Sequence, residues 1–159
     1  MKKNIIKYSL ITLVVIFIGI QFISPAKNLG NAAGPNDITH YVPVPNNVKA
    51  ILQRSCYDCH SNHTNYPWYV HINPIGLLMS KHVTEGKEGL NFSDLSKFNK
   101  RRLKHKLSSL ADQVEQQEMP ISSYTLIHRN AKLNDADTKI IKDWTATASE
   151  QIAFKKQAR

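Results

Sequence analysis

Residues 44–62 read VPNNVKAILQRSCYDCHSN and join a short amphipathic pattern to the only two cysteines of the chain. Pro45 is suited to the start of a helix. Four residues then recur at helical spacing on one face, namely Val48, Ile51, Leu52 and Ser55. Cys56 and Cys59 are therefore expected one helical turn apart on the same side, with His60 directly behind them. The stretch predicts an all-α domain built around whatever these three side chains hold.

The order Cys-x-x-Cys-His is compatible with a c-type haem, with half of a zinc site, or with a redox dithiol. On a helical turn, Cys56 and Cys59 would face the two vinyl groups on one edge of a porphyrin, and His60 would reach the iron. A zinc site needs four ligands, and adding His63 would crowd all four into one short loop. A thioredoxin-like dithiol follows a strand, and nothing before Cys56 alternates like one. The motif favours one covalent haem c over zinc, a dithiol and a chance occurrence.

The second axial ligand of such an iron is predicted from a methionine in the stretch QQEMPISS. Pro120 disfavours helical backbone at the residue before it, so the preceding helix should stop near Met119 and leave its sulfur free to point inward. We predict Met119 as the distal ligand, with His82 as the alternative and an open sixth position as a third possibility. Met79, on a predicted helix opened by Pro74 and closed near Gly86, is expected to pack in the core against the porphyrin.

Aromatic residues follow the motif closely in NYPWY, residues 65–69. A porphyrin needs a dry wall, and Trp N–H or Tyr O–H groups can reach its propionates. Trp68 and Tyr69 are therefore candidates for that wall. Packing of the loop without any contact to the cofactor is an equally good interpretation.

An apolar run occupies residues 5–23, with Lys2 and Lys3 before it and Lys7 near its start. Its length suits the hydrocarbon core of a bilayer, and the preceding cations should stay on the cytoplasmic side. We predict that residues 1–27 are a single-pass anchor in the cytoplasmic membrane, with the remaining domain in the periplasm. Because Ser24, Pro25 and Ala26 resemble a cleavage site, a removed signal peptide is the alternative. Either outcome exports the domain, and thioether attachment of haem is associated with the outer side of the bacterial membrane.

The rest of the chain divides into three parts. Residues 28–44 carry Gly, Asn and Pro without apolar periodicity and are predicted to be a flexible tether. Residues 45–150 form the predicted domain, and residues 151–159 a basic tail. The last helix of the domain should begin at Asn134, where Asp137 three residues on suits the positive helix end. A chain of 159 residues leaves no room for a second large domain.

Net charge is +9, and six cations without an acid lie within residues 97–106, KFNKRRLKHK. Leucines recur at helical spacing from Leu103 onward, so these cations should occupy the opposite, solvated face of a helix. A solvated face is the simplest interpretation. Alternatively, the cations form a docking patch for an acidic redox partner protein or for anionic lipid headgroups. Nucleic acid is not expected as a partner, because the domain is exported.

These stretches together resemble the haem-binding domain family of bacterial exported proteins. The resemblance covers about residues 45–150 and rests on VPNNVKAILQRSCYDCHSNHTNYPWY, INPIGLLMSKHVTEGKEGLNFSD, EMPISSYTLIHRNAKL and KDW. It implies covalent haem c on Cys56 and Cys59, iron on His60, and a helical domain like a small cytochrome c. It leaves the sixth ligand and the physiological role undecided, and the basic stretch NKRRLKHK is less typical of the family.

The expected function is one-electron transfer by a membrane-tethered protein with a single haem, rather than enzyme catalysis. An open sixth position would instead allow a haem-based sensor of small gases or redox state, or a peroxidase-like protein. A structural zinc module is the remaining alternative. Binding of carbon monoxide to the ferrous form would distinguish an open iron site from a fully ligated one.

Overall fold

A computed structural model describes residues 2–152, and within that range it contains helices and no strands. The α-helices are α1 Lys2–Ile20, α2 Asn46–Ser55, α3 Tyr57–His60, α4 Ile75–Gly89, α5 Lys100–Glu115, α6 Ser122–Thr125 and α7 Asp135–Glu150. Short 3-10 turns occur at Ile38–His40, Trp68–His71 and Arg129–Ala131. The predicted all-α class is confirmed. Most of the predicted basic tail lies outside the described residues.

The core forms where α5 lies along α7 and α2 packs against α7. The buried side chains of α2 are the predicted ones, Val48, Ile51, Leu52 and Ser55. The apolar faces of α5 and α7 join them through Leu103, Leu107, Leu110, Val114, Ile141, Trp144 and Ala148. The indole N–H of Trp144 donates to the Pro43 carbonyl at 2.9 Å, so this buried ring keeps a hydrogen-bond partner.

Asparagine side chains begin the two long helices of this core. Asn99 accepts a hydrogen bond from the backbone N–H of Arg102 at the start of α5. Asn134 caps α7, as the sequence predicts, and its side chain forms a reciprocal capping box with Asp137. Asp137 also accepts from Arg54 at 2.8 Å, which ties the start of α7 to the end of α2.

Residues 28–44 are packed on the domain, which corrects the prediction of a flexible tether. Ile38 and Val42 are buried in the core, and Asp37 caps the turn between them by accepting from the backbone of Thr39. Farther back, the carbonyl of Ala32 accepts from the Ser93 hydroxyl at 2.6 Å. A segment without apolar periodicity can still bury single side chains at turns, and this one does.

Helix α1 has an exposed, apolar surface along its length and is long enough to cross a membrane, with a mean hydropathy of 1.7. Helix α4 begins after Pro74, as predicted, but extends past Gly86 to Gly89. Met79 of α4 is buried, as predicted, whereas Ile75 and Leu78 are exposed at the surface.

Candidate functional site

A cavity of about 350 Å³ lies beside the Cys-x-x-Cys-His motif, and its walls come from α3, α4, α5 and the segment after α5. Three of its lining residues are Cys56, Cys59 and His60, and two others are Met119 and His82. The structure thus brings together every predicted attachment residue and both candidate distal ligands. Its volume falls in the range of small-molecule and cofactor sites, about 300–1,000 Å³.

The two cysteines are free thiols in a largely buried setting. Helix α2 ends at Ser55, and the N–H groups of Cys59 and His60 both donate to the Cys56 carbonyl. Burial is the main cause that raises the pKa of Cys56 to about 12 and the pKa of Cys59 to about 11. A redox dithiol requires a lowered thiol pKa, so the surroundings of these thiols disfavour that alternative.

His60 is held by a backbone contact in the orientation that a metal ligand needs. Its Nδ1 lies 2.8 Å from the carbonyl oxygen of Leu90. Since a carbonyl only accepts, Nδ1 carries the hydrogen and the Nε2 lone pair is left free. Burial lowers the pKa of His60, with backbone hydrogen bonds to Leu90 and Gly86 acting in the opposite direction. The imidazole is therefore neutral at pH 7, as a ligand must be.

Helix α4 approaches the motif through a glycine. A Cβ added at Gly86 would lie 2.7 Å from the carbonyl oxygen of Cys59, closer than real Cβ atoms come. Three residues later, Gly89 has open space around the same position. Because Gly86 has no side chain, α4 lies directly against residues 56–60, which we call the attachment turn. Helix α4 thereby forms one wall of the cavity.

The opposite wall is formed by α5 and the segment that follows it. Helix α5 ends at Glu115, and the backbone N–H of Met119 then donates to the Gln113 carbonyl. Met119 is half-buried and packs against the core cluster. The Tyr124 hydroxyl donates to Asp58 at 2.6 Å, and this bond fastens α6 to the middle of the Cys-x-x-Cys motif. Hydrogen bonding to Asp58 and, above all, burial raise the pKa of Tyr124.

The structure does not place Trp68 or Tyr69 in this cavity. The Trp68 side chain is 75% exposed, and the Tyr69 hydroxyl pairs with His128. The aromatic rings that do line it belong to Phe92 and Tyr124, which sequence reasoning did not single out. No periodic pattern in the sequence predicts that these two rings line the cavity, because both residues lie outside the long helices. The interpretation of the NYPWY stretch as loop packing without cofactor contact agrees with this placement.

One of the alternative chemistries, a structural zinc site, finds little support here. Within residues 2–152, no group of three or more His, Cys, Asp and Glu side chains converges as a metal site, which argues against structural zinc. Met79 is buried, as predicted, but it does not line the cavity, so its predicted contact with the porphyrin finds no support.

The donor set fits a haem of the c type. Two protonated thiols and a neutral imidazole share one cavity with a thioether, and apolar side chains such as Leu110, Val114 and Ile121 also line it. Lys106 also lines the cavity and could pair with a propionate. These are the residue types that thioether attachment and axial ligation of iron require.

Comparison with known proteins points in the same direction. A family model described as a haem-binding domain matches residues 15–147. No curated protein and no solved structure matches the chain.

Proposed function

Because the chain belongs to the haem-binding domain family, we propose that it carries one covalent c-type haem and transfers single electrons at the outer face of the cytoplasmic membrane. The observation that supports this proposal most strongly is that Cys56, Cys59, His60 and Met119 line one cavity. Haem itself would supply the chemistry, because its iron cycles between the ferrous and ferric states. The protein residues attach it, orient it and keep water away.

Attachment requires two thiols on one side of the bound porphyrin. Each thiol would add its sulfur to one carbon of a vinyl group and its hydrogen to the neighbouring carbon, so no atom leaves. The backbone bonds from Cys59 and His60 to the Cys56 carbonyl hold the attachment turn in a helical conformation. Helix α4 contacts Cys59 at Gly86 and so supports that turn.

His60 and Met119 would hold the iron, since both line the cavity. His60 is ready for this role because its Nδ1–H is already used by Leu90. A methionine sulfur favours the ferrous state and gives a relatively high reduction potential. His82 is the alternative distal ligand, since it also lines the cavity and is half-buried.

Anchoring by α1 would keep the haem domain at the membrane. The helix is long and apolar enough to cross a bilayer, and the cations Lys2 and Lys3 at its start favour a cytoplasmic N-terminus. The domain would then lie in the periplasm as part of a single-pass membrane protein.

An anaerobic redox titration of the full chain, followed by addition of carbon monoxide to the reduced form, tests electron transfer against the open-site alternative. We expect a single reversible one-electron transition and no fast change on adding carbon monoxide, because Met119 occupies the sixth position. Rapid formation of a carbon monoxide complex would instead support a sensor or peroxidase-like protein.

A further inference from the structure

We propose that four exposed side chains around the start of α4, Trp68, Ile72, Ile75 and Leu78, lie in the headgroup layer of the membrane that α1 crosses. We call them the docking face. This inference rests on the proposed anchoring of the chain by α1, but it adds that the domain is held down on the lipid surface in one orientation.

The end of α1 is fastened to the domain beside the docking face. The side-chain amide of Asn73 donates to the carbonyls of Ile20 and Ile23, at 2.7 Å each. The side chain of Gln21 exchanges two further hydrogen bonds with the Asn73 backbone, both at 3.0 Å. Carbonyls at a helix end have no partner within the helix, and here a buried asparagine of the domain supplies it. The end of α1 is therefore bonded to Asn73, the residue that directly follows Ile72 in the chain.

The segment that follows this junction is also bonded to the domain. A few residues later, Asn28 donates through its side chain to the Ser61 carbonyl and to the Thr64 hydroxyl, each at 2.9 Å. Its own side-chain oxygen accepts from Lys87 at 2.7 Å. With both ends of residues 21–28 bonded to the domain, the domain cannot move away from the end of α1 without breaking these bonds.

Helix length then sets the depth of the junction. The 19 residues of α1 span about 28 Å, against a hydrocarbon core of roughly 30 Å. If Lys2 and Lys3 stay at the cytoplasmic surface, the other end of α1 cannot rise above the opposite headgroup layer. Asn73 and the residues next to it are consequently placed at that layer.

The side chains at this position are suited to lipid. Ile72 is 40% exposed, and Ile75 and Leu78, three residues apart on one side of α4, are 41% and 50% exposed. Trp68 is more exposed still, and tryptophan is enriched at membrane interfaces. A run of exposed apolar side chains in a folded domain indicates a contact surface, and its continuity with α1 identifies the bilayer as the contact.

Charge is also compatible with a bacterial lipid surface. Residues 59–84, which contain the whole docking face, include no Asp or Glu, and neither do residues 2–36. Anionic headgroups would therefore meet no opposing acid there. Gly86, which contacts the attachment turn, lies farther along α4 from Ile75 by about 16 Å. Helix α4 would thus connect the membrane surface directly to the haem cavity.

Photocrosslinking to lipid in the intact chain tests this inference. The full-length haem protein would carry p-benzoylphenylalanine in place of Ile72 or Leu78 and be placed in nanodiscs of phosphatidylethanolamine and phosphatidylglycerol. Replacement of Val14 within α1 is the positive control, and replacement of the exposed Arg101 on α5 is the negative control. We expect a mass increase of one phospholipid for positions 72, 78 and 14, and none for position 101.

Each other outcome overturns the inference, and the controls show at which step. Lipid adducts at position 14 but not at 72 and 78 would leave the anchor intact and reject the docking face. Crosslinks from 72 or 78 to a second copy of the chain would assign the surface to self-association instead. Absence of adducts at position 14 would reject the anchor itself. An unchanged visible spectrum confirms in every case that the haem domain is folded.

Discussion

At the scale of single residues, the contact between His60 and Leu90 prepares the site for a metal before any metal is bound. It fixes the hydrogen on Nδ1 and so selects the form of the imidazole that can coordinate through Nε2. The buried thiols of Cys56 and Cys59 complement it, because their raised pKa values keep them protonated and unsuited to disulfide exchange. Together these side chains suit the proposed thioether attachment better than they suit redox chemistry of sulfur.

Met119 should be the residue on which the reduction potential depends most. We expect Met119→Leu, which keeps the apolar volume and removes the sulfur, to abolish the near-infrared sulfur-to-iron absorption band and to lower the potential. The measurement is an optical redox titration of the oxidised and reduced protein.

Met79→Leu is the matched control, since that buried methionine lies outside the cavity. It should leave band and potential unchanged and cost less than about 1.5 kcal/mol of stability. Retention of the band in Met119→Leu would disprove Met119 ligation. A wild-type protein without the band would transfer the assignment to His82.

The shared position of Cys56, Cys59 and His60 could be predicted from sequence because it depends on local spacing alone. Cys56, Cys59 and His60 are neighbours in the chain, so a single helical turn brings them together. Phe92 and Tyr124 were missed because their places in the cavity wall depend on where distant loops cross the motif. Trp68 and Tyr69 were proposed for the wall because they are near the motif in sequence, and the chain turns them away from it.

At the scale of elements, α4 is the helix that packs directly against the attachment turn. Its packing depends on Gly86, and this position gives a direct test. Gly86→Ala should force the added Cβ against the Cys59 carbonyl and cost about 1–3 kcal/mol of folding stability. Denaturant unfolding of the haem-loaded protein, monitored by visible absorption, measures the cost.

Gly34→Ala is the control for this change, at a position that does not line the cavity. Because the added Cβ would lie 3.6 Å from the Ser93 carbonyl oxygen, an ordinary contact, alanine should change the stability by less than about 1 kcal/mol. Equal stabilities of the two variants would mean that α4 does not press on the attachment turn.

The long helices could be predicted, and the short elements could not. Helices α2, α5 and α7 repeat apolar residues over several turns, and two of them carry asparagine caps, so the pattern and the structure agree. Residues 28–44 bury Ile38 and Val42 around a single turn, which is too short to establish a period. The sequence of such a segment is typical of a linker, and only its contacts with distant residues show that it packs on the domain.

At the scale of the whole molecule, the positive charge is concentrated at the start of α5. Lys100, Arg101 and Arg102 occupy its first turn with no acid among them. Cations at a helix N-terminus oppose the helix dipole. This unfavourable placement is consistent with a role in binding an acidic redox partner.

We therefore expect Gln at positions 100, 101 and 102 to change two properties in opposite directions. Reduction by a small acidic redox protein should slow at low ionic strength and lose its salt dependence. The free energy of unfolding should meanwhile rise by up to about 1 kcal/mol, because the dipole is no longer opposed. Stopped-flow kinetics and denaturant unfolding report the two effects.

A second triple variant controls for net charge. Gln at Lys81, Lys132 and Lys139, which are exposed elsewhere on the domain, removes the same three charges. An equal loss of rate in both variants would indicate a general charge effect and reject a docking patch on α5.

The central claim is that Cys56 and Cys59 hold a haem covalently in the cavity where His60 ligates its iron. Acid-acetone extraction of the full chain, expressed with c-type haem maturation machinery and followed by its reduced visible spectrum, tests this most directly. We predict that the haem absorption stays with the precipitated protein, and that the double variant Cys56→Ser, Cys59→Ser releases it into the solvent. A wild-type protein that is colourless, or that gives up its haem as readily as the double variant does, would contradict the account.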